Sequence, residues 1–271
     1  MKAELDALLD EFGLLAVMAA EIECYVMLAD DSAERIDRFW EPVEKAFHHE
    51  GLPIIRIERE RGYNQYEVVT NVMAPAMLVH TLTRVRAIIE KYAARNHVAV
   101  SFAGKPFVDQ PSSGMHIHLH LSDREGINSY HKTEEWTSDT LRYSLGGLLD
   151  VMAYQMPIYF PEITDYARLN DADHVPKIFG WGVNNRYCAL RIPSHPDMYD
   201  KRIEHRVPCA NANPELVISA MLAGVLHGLR DKIEPPAQQY GKWGDSTFQQ
   251  LAAAPIGERS HKDAELFQIG L

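Results

Sequence analysis

The chain holds 271 residues, 46% of them apolar, and a formal net charge of −11. Such a length can bury one sizeable core, and the acidic balance excludes the basic stripe of a nucleic-acid binder. Three scattered cysteines (Cys24, Cys188 and Cys209) with no CxxC exclude a disulfide scaffold or cysteine zinc site and fit a reducing compartment.

The opening MKAELDALLDEFG is acidic and lacks a signal-peptide pattern; residues 3–12 within it predict a short amphipathic helix stopped by Gly13. Residues 14–30, LLAVMAAEIECYVMLAD, are apolar and β-favouring and predict one or two long strands. Helical periodicity follows over 34–51. PIIRIERERGYNQYEVVTN predicts two strands joined by a turn near Gly62–Asn64. Pro75 precedes an amphipathic helix over 77–96, and strands over 98–104 and 115–122 flank the polar loop KPFVDQPSSG. Residues 137–155 read as helix and 159–176 as an irregular stretch. RYCALRIP (186–193) and RIEHRVP (202–208) predict strands, each closed by a proline that cannot donate to a ladder. Asn213 and Pro214 supply a cap and an N1 proline for a helix reaching residue 233. Beyond Pro235 the chain turns polar and irregular, with a tail over about 241–271. No apolar run approaches the roughly 18 residues of a membrane span, so a soluble, cytoplasmic protein is expected. Strands and helices mix without regular βαβ alternation, which predicts an α+β fold with a mainly antiparallel sheet in one domain, 1–271.

Six hard-metal ligands stand in four separated segments: Glu21 and Glu23, Glu60 and Glu67, His116, and Glu204. Alternate strand residues share a face, so Glu21 and Glu23 project together, as do Glu58 and Glu60, or His116, His118 and His120. A solvated sheet face is the ordinary explanation of any one such pair. The apolar setting AAEIECYVML fits it poorly, because two carboxylates there would repel unless a cation neutralised them. Three histidines at alternate positions lie nearly 7 Å apart along a strand, awkward for one zinc ion. Arg186 and Arg191, five apart, face opposite ways on an ideal strand unless a turn intervenes, whereas Arg202, Glu204 and Arg206 share a face. Carboxylates with imidazole suit Mg²⁺ or Mn²⁺, and adjacent guanidinium groups suit phosphate. Together they point to phosphoryl transfer from a nucleotide.

These residues resemble the catalytic domain of glutamine synthetase and related γ-glutamyl-amide ligases. AEIE, ERGYNQYE, SGMHIH, NRYCALRIP and KRIEHRVPCANANP occur in the family's order, covering residues 14 to 240. The resemblance implies a curved sheet, open like half a barrel, of the kind shared with guanidino kinases. It also implies an ATP-dependent carboxylate–amine ligase that forms an amide through an acyl phosphate. In it Glu23, Glu60 and Glu67 would hold one metal ion, and Glu21, His116 and Glu204 a second. His118 and Arg202 would meet the nucleotide phosphates. Arg186, Arg191 and Arg206 would stabilise the transferring phosphoryl group and the acid. Arg168 would clamp the acid's α-carboxylate, with Gly114 in the substrate loop.

Three departures qualify the resemblance. The family's Asn-Gly-Ser-Gly-Met-His loop here reads Pro111-Ser112-Ser113-Gly114-Met115-His116. His174, two residues before Pro176, stands where the family has a glutamate that takes a proton from ammonium; an imidazole can still act as a base. The family's small N-terminal β-grasp domain is expected to be missing here, so an oligomer is expected, either a hetero-oligomer with a separate β-grasp subunit, the favoured form, or a new self-pairing. The expected function is therefore ligation with an amine or acid other than ammonium plus glutamate. A nucleotide-binding regulatory or assembly subunit, or a small-molecule kinase, are the alternatives.

Overall fold

The computed structural model describes residues 1–28, 33–131, 137–171, 174–193 and 201–241. Helix α1 (Lys2–Phe12) ends as expected at Gly13, whose φ of 68° closes a left-handed cap. The long strand β1 (Leu15–Met27) follows and organises the sheet. After α2 (Ala33–His49) come β2 (Ile54–Arg59) and β3 (Gln65–Thr70), then α3 (Pro75–Arg95), the three-residue β4 (Ala99–Ser101) and β5 (Met115–Ser122). Helix α4 (Asp139–Tyr159), a 3-10 segment (Ile163–Asn170), β6 (Ile178–Val183), β7 (Cys188–Ile192), β8 (Ile203–His205) and α5 (Pro214–Asp231) complete the order. The sequence-predicted tail beyond residue 241 lies outside the described residues.

Among the described residues the strands form one open sheet in the order β2-β3-β1-β5-β8-β7-β6, with β4 also on β1. Every pairing is antiparallel except β6 with β7, which pair in parallel across the short segment 184–187. A positive φ of 51° at Asn184 begins that return. Nothing in the strand pattern announced it. Helix α4 runs past its expected end through Pro157, and the stretch read as irregular contains the 3-10 turns. Ser138 caps α4 by accepting from Leu141 N–H, and Asn213 caps α5 by accepting from Glu215 and Leu216.

Period-two alternation divides the sheet into two chemically different faces. Ile22, Cys24 and Val26 of β1, Val68 of β3, and Met115, Ile117, Leu119 and Leu121 of β5 are fully buried in the core. The opposite face carries the charged residues. Helices α4 and α5 approach backbone to backbone: a methyl at Gly147 would lie 2.2 Å from the Gly224 carbonyl oxygen. Only glycine permits that contact.

Candidate active site

Register aligns the charged face into three rows. In the first, Glu58, Glu67 and Glu23 are cross-strand neighbours on β2, β3 and β1. In the second, Glu21 of β1 stands opposite His116 of β5. In the third, His118 of β5 pairs with Glu204 of β8, which in turn pairs with Arg191 of β7. Strand pairing thus gathers residues from across the sequence onto one floor, because paired residues on an antiparallel ladder share a face. Above that floor lies a cavity of about 220 Å³, lined also by Glu60, Arg168, His174, Arg186 and Arg206.

Two overlapping ligand sets emerge. Glu21, His116 and Glu204 each place a donor atom within 4.8 Å of the others, and so do Glu23, Glu67 and His116. The first is the set implied for one metal. The second contains two of the three residues implied for the other, with His116 in the third place. Glu60 lines the cavity from the turn after β2 and accepts from Arg61 N–H rather than joining a cluster. The oxygen and imidazole donors fit hard divalent ions of the Mg²⁺ or Mn²⁺ type. The electrostatics fit as well. Burial, with Glu21 and Glu23 nearby, pushes the Glu67 carboxyl up to about 9. Burial pushes Glu23 to about 7 against the pull of Arg168. In Glu23 burial outweighs the nearby guanidinium groups, and in Glu67 burial and neighbouring carboxylates act together.

Glu204 shows the opposite balance. Burial alone would raise it, but Arg206, His118, His116 and Arg191 hold it at about 2. Its Oε2 accepts from Arg191 at 2.6 Å and its Oε1 from Arg206. Glu21 is likewise held well below the carboxylate range: burial is outweighed by hydrogen bonds from His116 and His118. Burial, then Arg206, lowers His116 to about 4, so it presents neutral nitrogens as a ligand must. The Nε atoms of Arg168, Arg191 and Arg206 are buried without a hydrogen-bond partner. The three residues line the same cavity, and guanidinium groups are suited to oxygen-rich anions.

The remaining expected residues fall as follows. Arg186 sits in the turn between β6 and β7, not on the strand, so it and Arg191 line the same cavity. Its Nη1 lies 3.2 Å from His174 Nδ1, while Arg206 Nη2 donates to the His174 carbonyl at 2.9 Å. Arg202 donates to His118 Nδ1 at 3.2 Å, and this pair stands beyond the cavity's lining. Arg168 is 1% exposed, and its Nη atoms donate to the Val207 and Arg206 carbonyls. Gly114 donates to Glu23 Oε2 at 2.7 Å; a methyl there would sit 2.6 Å from Arg168 Nη2 and 2.7 Å from His116 Nε2.

Sequence reasoning overlooked the supports of this loop. Gln65 Nε2 donates to the Ser112 carbonyl at 2.9 Å and reaches Glu23 Oε2 at 3.4 Å. Its place two residues before Glu67 on one strand face was a legible signal. Asp171 accepts from Ser112 N–H at 2.7 Å and pairs with Lys105, tying the loop to the segment that carries His174. No local pattern marks that long-range pair.

Comparison with known proteins agrees with this geometry. The family described as glutamine synthetase, catalytic domain, matches residues 24–256. The chain belongs to this glutamine synthetase catalytic-domain family. Glu21 and Glu23 lie just ahead of the matched span. Among curated relatives, gamma-glutamylputrescine synthetase PuuA of Escherichia coli (strain K12) is 36% identical over 148 residues, 55% of this chain and 31% of that protein. Glutamine synthetase of Pyrococcus abyssi is 30% identical over 66% of this chain and 40% of its own length. Glutamate–isopropylamine ligase of a Pseudomonas species is 28% identical over 78% of this chain and 46% of its own length. The chain therefore spans less than half the length of these three relatives. A solved GmaS/ADP complex superposes with a TM-score of 0.84 at 21% identity, covering 98% of this chain and 66% of that one. That likeness confirms the glutamine synthetase fold, an open α+β sheet backed by helices.

Proposed function

We propose that the chain is the catalytic part of an ATP-dependent ligase joining a carboxylic acid to an amine. The observation that carries this reading is the convergence on one cavity of two carboxylate–imidazole clusters and the guanidinium groups of Arg168, Arg191 and Arg206. Carboxylates attract divalent cations and guanidinium groups attract phosphate; a site holding both suits phosphoryl transfer. Relatives named as glutamate–isopropylamine ligase and gamma-glutamylputrescine synthetase support amide formation with organic amines.

Glu21, His116 and Glu204 would hold one Mg²⁺ or Mn²⁺, and Glu23 and Glu67, with Glu60 at the cavity edge, a second; when bound, these ions neutralise and align phosphate oxygens. His118 and Arg202 would meet the nucleotide phosphates. Arg168 would receive the acid's carboxylate, its donors turning from the carbonyls of Arg206 and Val207. The acid oxygen attacks the γ-phosphorus and the bond to ADP breaks. Arg186, Arg191 and Arg206 would stabilise charge on the phosphoryl group in flight. The amine nitrogen then attacks the acyl carbon, and phosphate departs. Activation is required because a carboxylate is a poor electrophile. Pro111 and Ser112 in the substrate loop, and His174, favour an amine or acid other than ammonium with glutamate.

Release of ADP and phosphate from ATP, screened against acids and amines, tests the reading. Amide formation dependent on both partners and on divalent metal is expected. A stable phosphorylated acid or guanidino compound without amine would indicate a kinase. Tight nucleotide binding without turnover would indicate a regulatory subunit.

A further inference from the structure

A 3-10 helix has about three residues per turn, so Asp165 and Arg168 project from the same side of the segment Ile163–Asn170. Both are buried, at 2% and 1% exposure. The Asp165 carboxylate gathers N–H donors from three parts of the chain. Its Oδ1 accepts from Gly104 N–H at 3.0 Å, and its Oδ2 from Glu162 N–H at 3.0 Å and Asn211 Nδ2 at 2.9 Å. All three donors are neutral, and an ionised carboxylate satisfies them together because it only accepts.

Each of these bonds leads toward the cavity. The Gly104 carbonyl accepts from Ser113 N–H at 2.9 Å, and the Ser113 carbonyl from Ala210 N–H at 3.1 Å. Gly114, next in the chain, donates to Glu23. Asn211 follows the stretch whose Arg206 and Val207 carbonyls hold Arg168. The Glu162 bond closes the capping box that opens the segment carrying Arg168. The junction is tightly packed: a methyl on Gly104 would lie 2.6 Å from Cys209 Sγ and 2.9 Å from Asp165 Oδ1. Asp165 itself is not among the residues lining the cavity.

We propose that Asp165 is a positioning residue for the acid substrate, fixing Arg168 and the loop 111–114 relative to each other. The inference rests on the ligase reading above and deepens it: a group remote from the substrate holds the acid's two contacts in register. Arg168 and the loop come from different elements, and the Asp165 carboxylate joins them through one acceptor on each side.

Asp165→Asn keeps the size and removes one acceptor. With its oxygen toward Glu162 and Asn211, its NH2 opposes Gly104 N–H and releases the link to Ser113. Adding Asn211→Asp gives that NH2 an acceptor, so the amide turns and its oxygen faces Gly104 again. The double variant should thus recover the loop link while losing the Glu162 bond.

Two measurements on the full chain test this. Hydrogen exchange read by mass spectrometry requires no turnover. In Asp165→Asn, peptides covering residues 102–114 should exchange about tenfold faster, as expected for one buried hydrogen bond lost, while those of β1 and β3 keep their protection. Uniform acceleration, or no change in 102–114, would overturn the proposal. Steady-state rates are then taken with ATP, Mg²⁺, L-glutamate and isopropylamine, or with the acid–amine pair that the phosphate-release screen selects. In Asp165→Asn, kcat/KM for the acid should fall by up to about a hundredfold with KM for ATP unchanged, and the double variant should regain most of that loss. A parallel rise in KM for acid and ATP, or a double variant worse than the single, would mean that Asp165 serves folding alone and would overturn the proposal. No turnover by the unaltered chain anywhere in the screen would overturn the ligase reading and the acid-positioning role with it, whereas exchange still reports whether Asp165 holds the loop.

Discussion

At the scale of single residues, the site is defined by groups whose surroundings are unfinished without ligands. Burial and neighbouring carboxylates raise Glu23 to about 7 and Glu67 to about 9. For a group raised in the folded state, the stabilising contribution is present below the ordinary carboxylate value of 4.5 and lost as pH climbs through the raised value. Metal-free protein should therefore lose thermal stability as pH rises through about 7 and on toward 9, and added Mg²⁺ or Mn²⁺ should abolish the trend. Metal binding should also release protons near pH 7, visible when calorimetric heats vary with the ionisation enthalpy of the buffer. Heats independent of the buffer would contradict the assignment of these carboxylates as ligands. Gly114 offers a second check. Gly114→Ala drives a methyl against Arg168 and His116, an overpacking that costs about 1–3 kcal/mol. Metal affinity should fall by about 10–100-fold, the range for displaced supporting groups. Most residues of the two clusters were legible because alternation on a strand is a local pattern, as with Glu21 and Glu23. Glu60 was expected beside them, but it lies past the end of β2, where the turn releases it from the row. Asp171 with Lys105 was illegible, since 66 residues separate the partners.

At the scale of elements, β1 does the organising. Its thirteen residues pair with β3 through Glu21–Tyr25 and with β5 through Leu15–Ile22. A one-residue slip on either side would send Glu21 or His116 into the core, so burial of Ile22, Ile117 and Val68 fixes the site's register. The sequence expressed this strand clearly in an apolar run broken only by two glutamates. It did not express the parallel partnership of β6 and β7, whose residues look the same in either orientation. Nor did it show that Arg186 lies on the turn before β7, which resolves the opposite-face difficulty of Arg186 and Arg191. The close pair α4 and α5 yields a prediction separable from function. Gly147→Ala places a methyl 2.2 Å from the Gly224 carbonyl oxygen and should lower stability by about 1–3 kcal/mol or more. Metal affinity should stay unchanged in the folded fraction. An unaltered melting temperature would show that the helices separate easily.

At the scale of the molecule, one face of an open sheet is core and the other carries the charged residues that line the cavity. No helix among the described residues is long and apolar enough to cross a membrane. The cavity opens to water on that floor, and an acyl phosphate exposed there would hydrolyse before an amine arrived. An assembly in which another polypeptide covers the floor is therefore expected during turnover, and mass measurement of the active particle checks it. A monomer with full ligase turnover would contradict this. In the proposed ligase, ATP activates the acid by transferring phosphate to its carboxylate oxygen. Oxygen-18 placed in the carboxylate of the acid reports on that bond directly. One labelled oxygen is expected in each phosphate released with an amide; phosphate free of label would contradict this activation step.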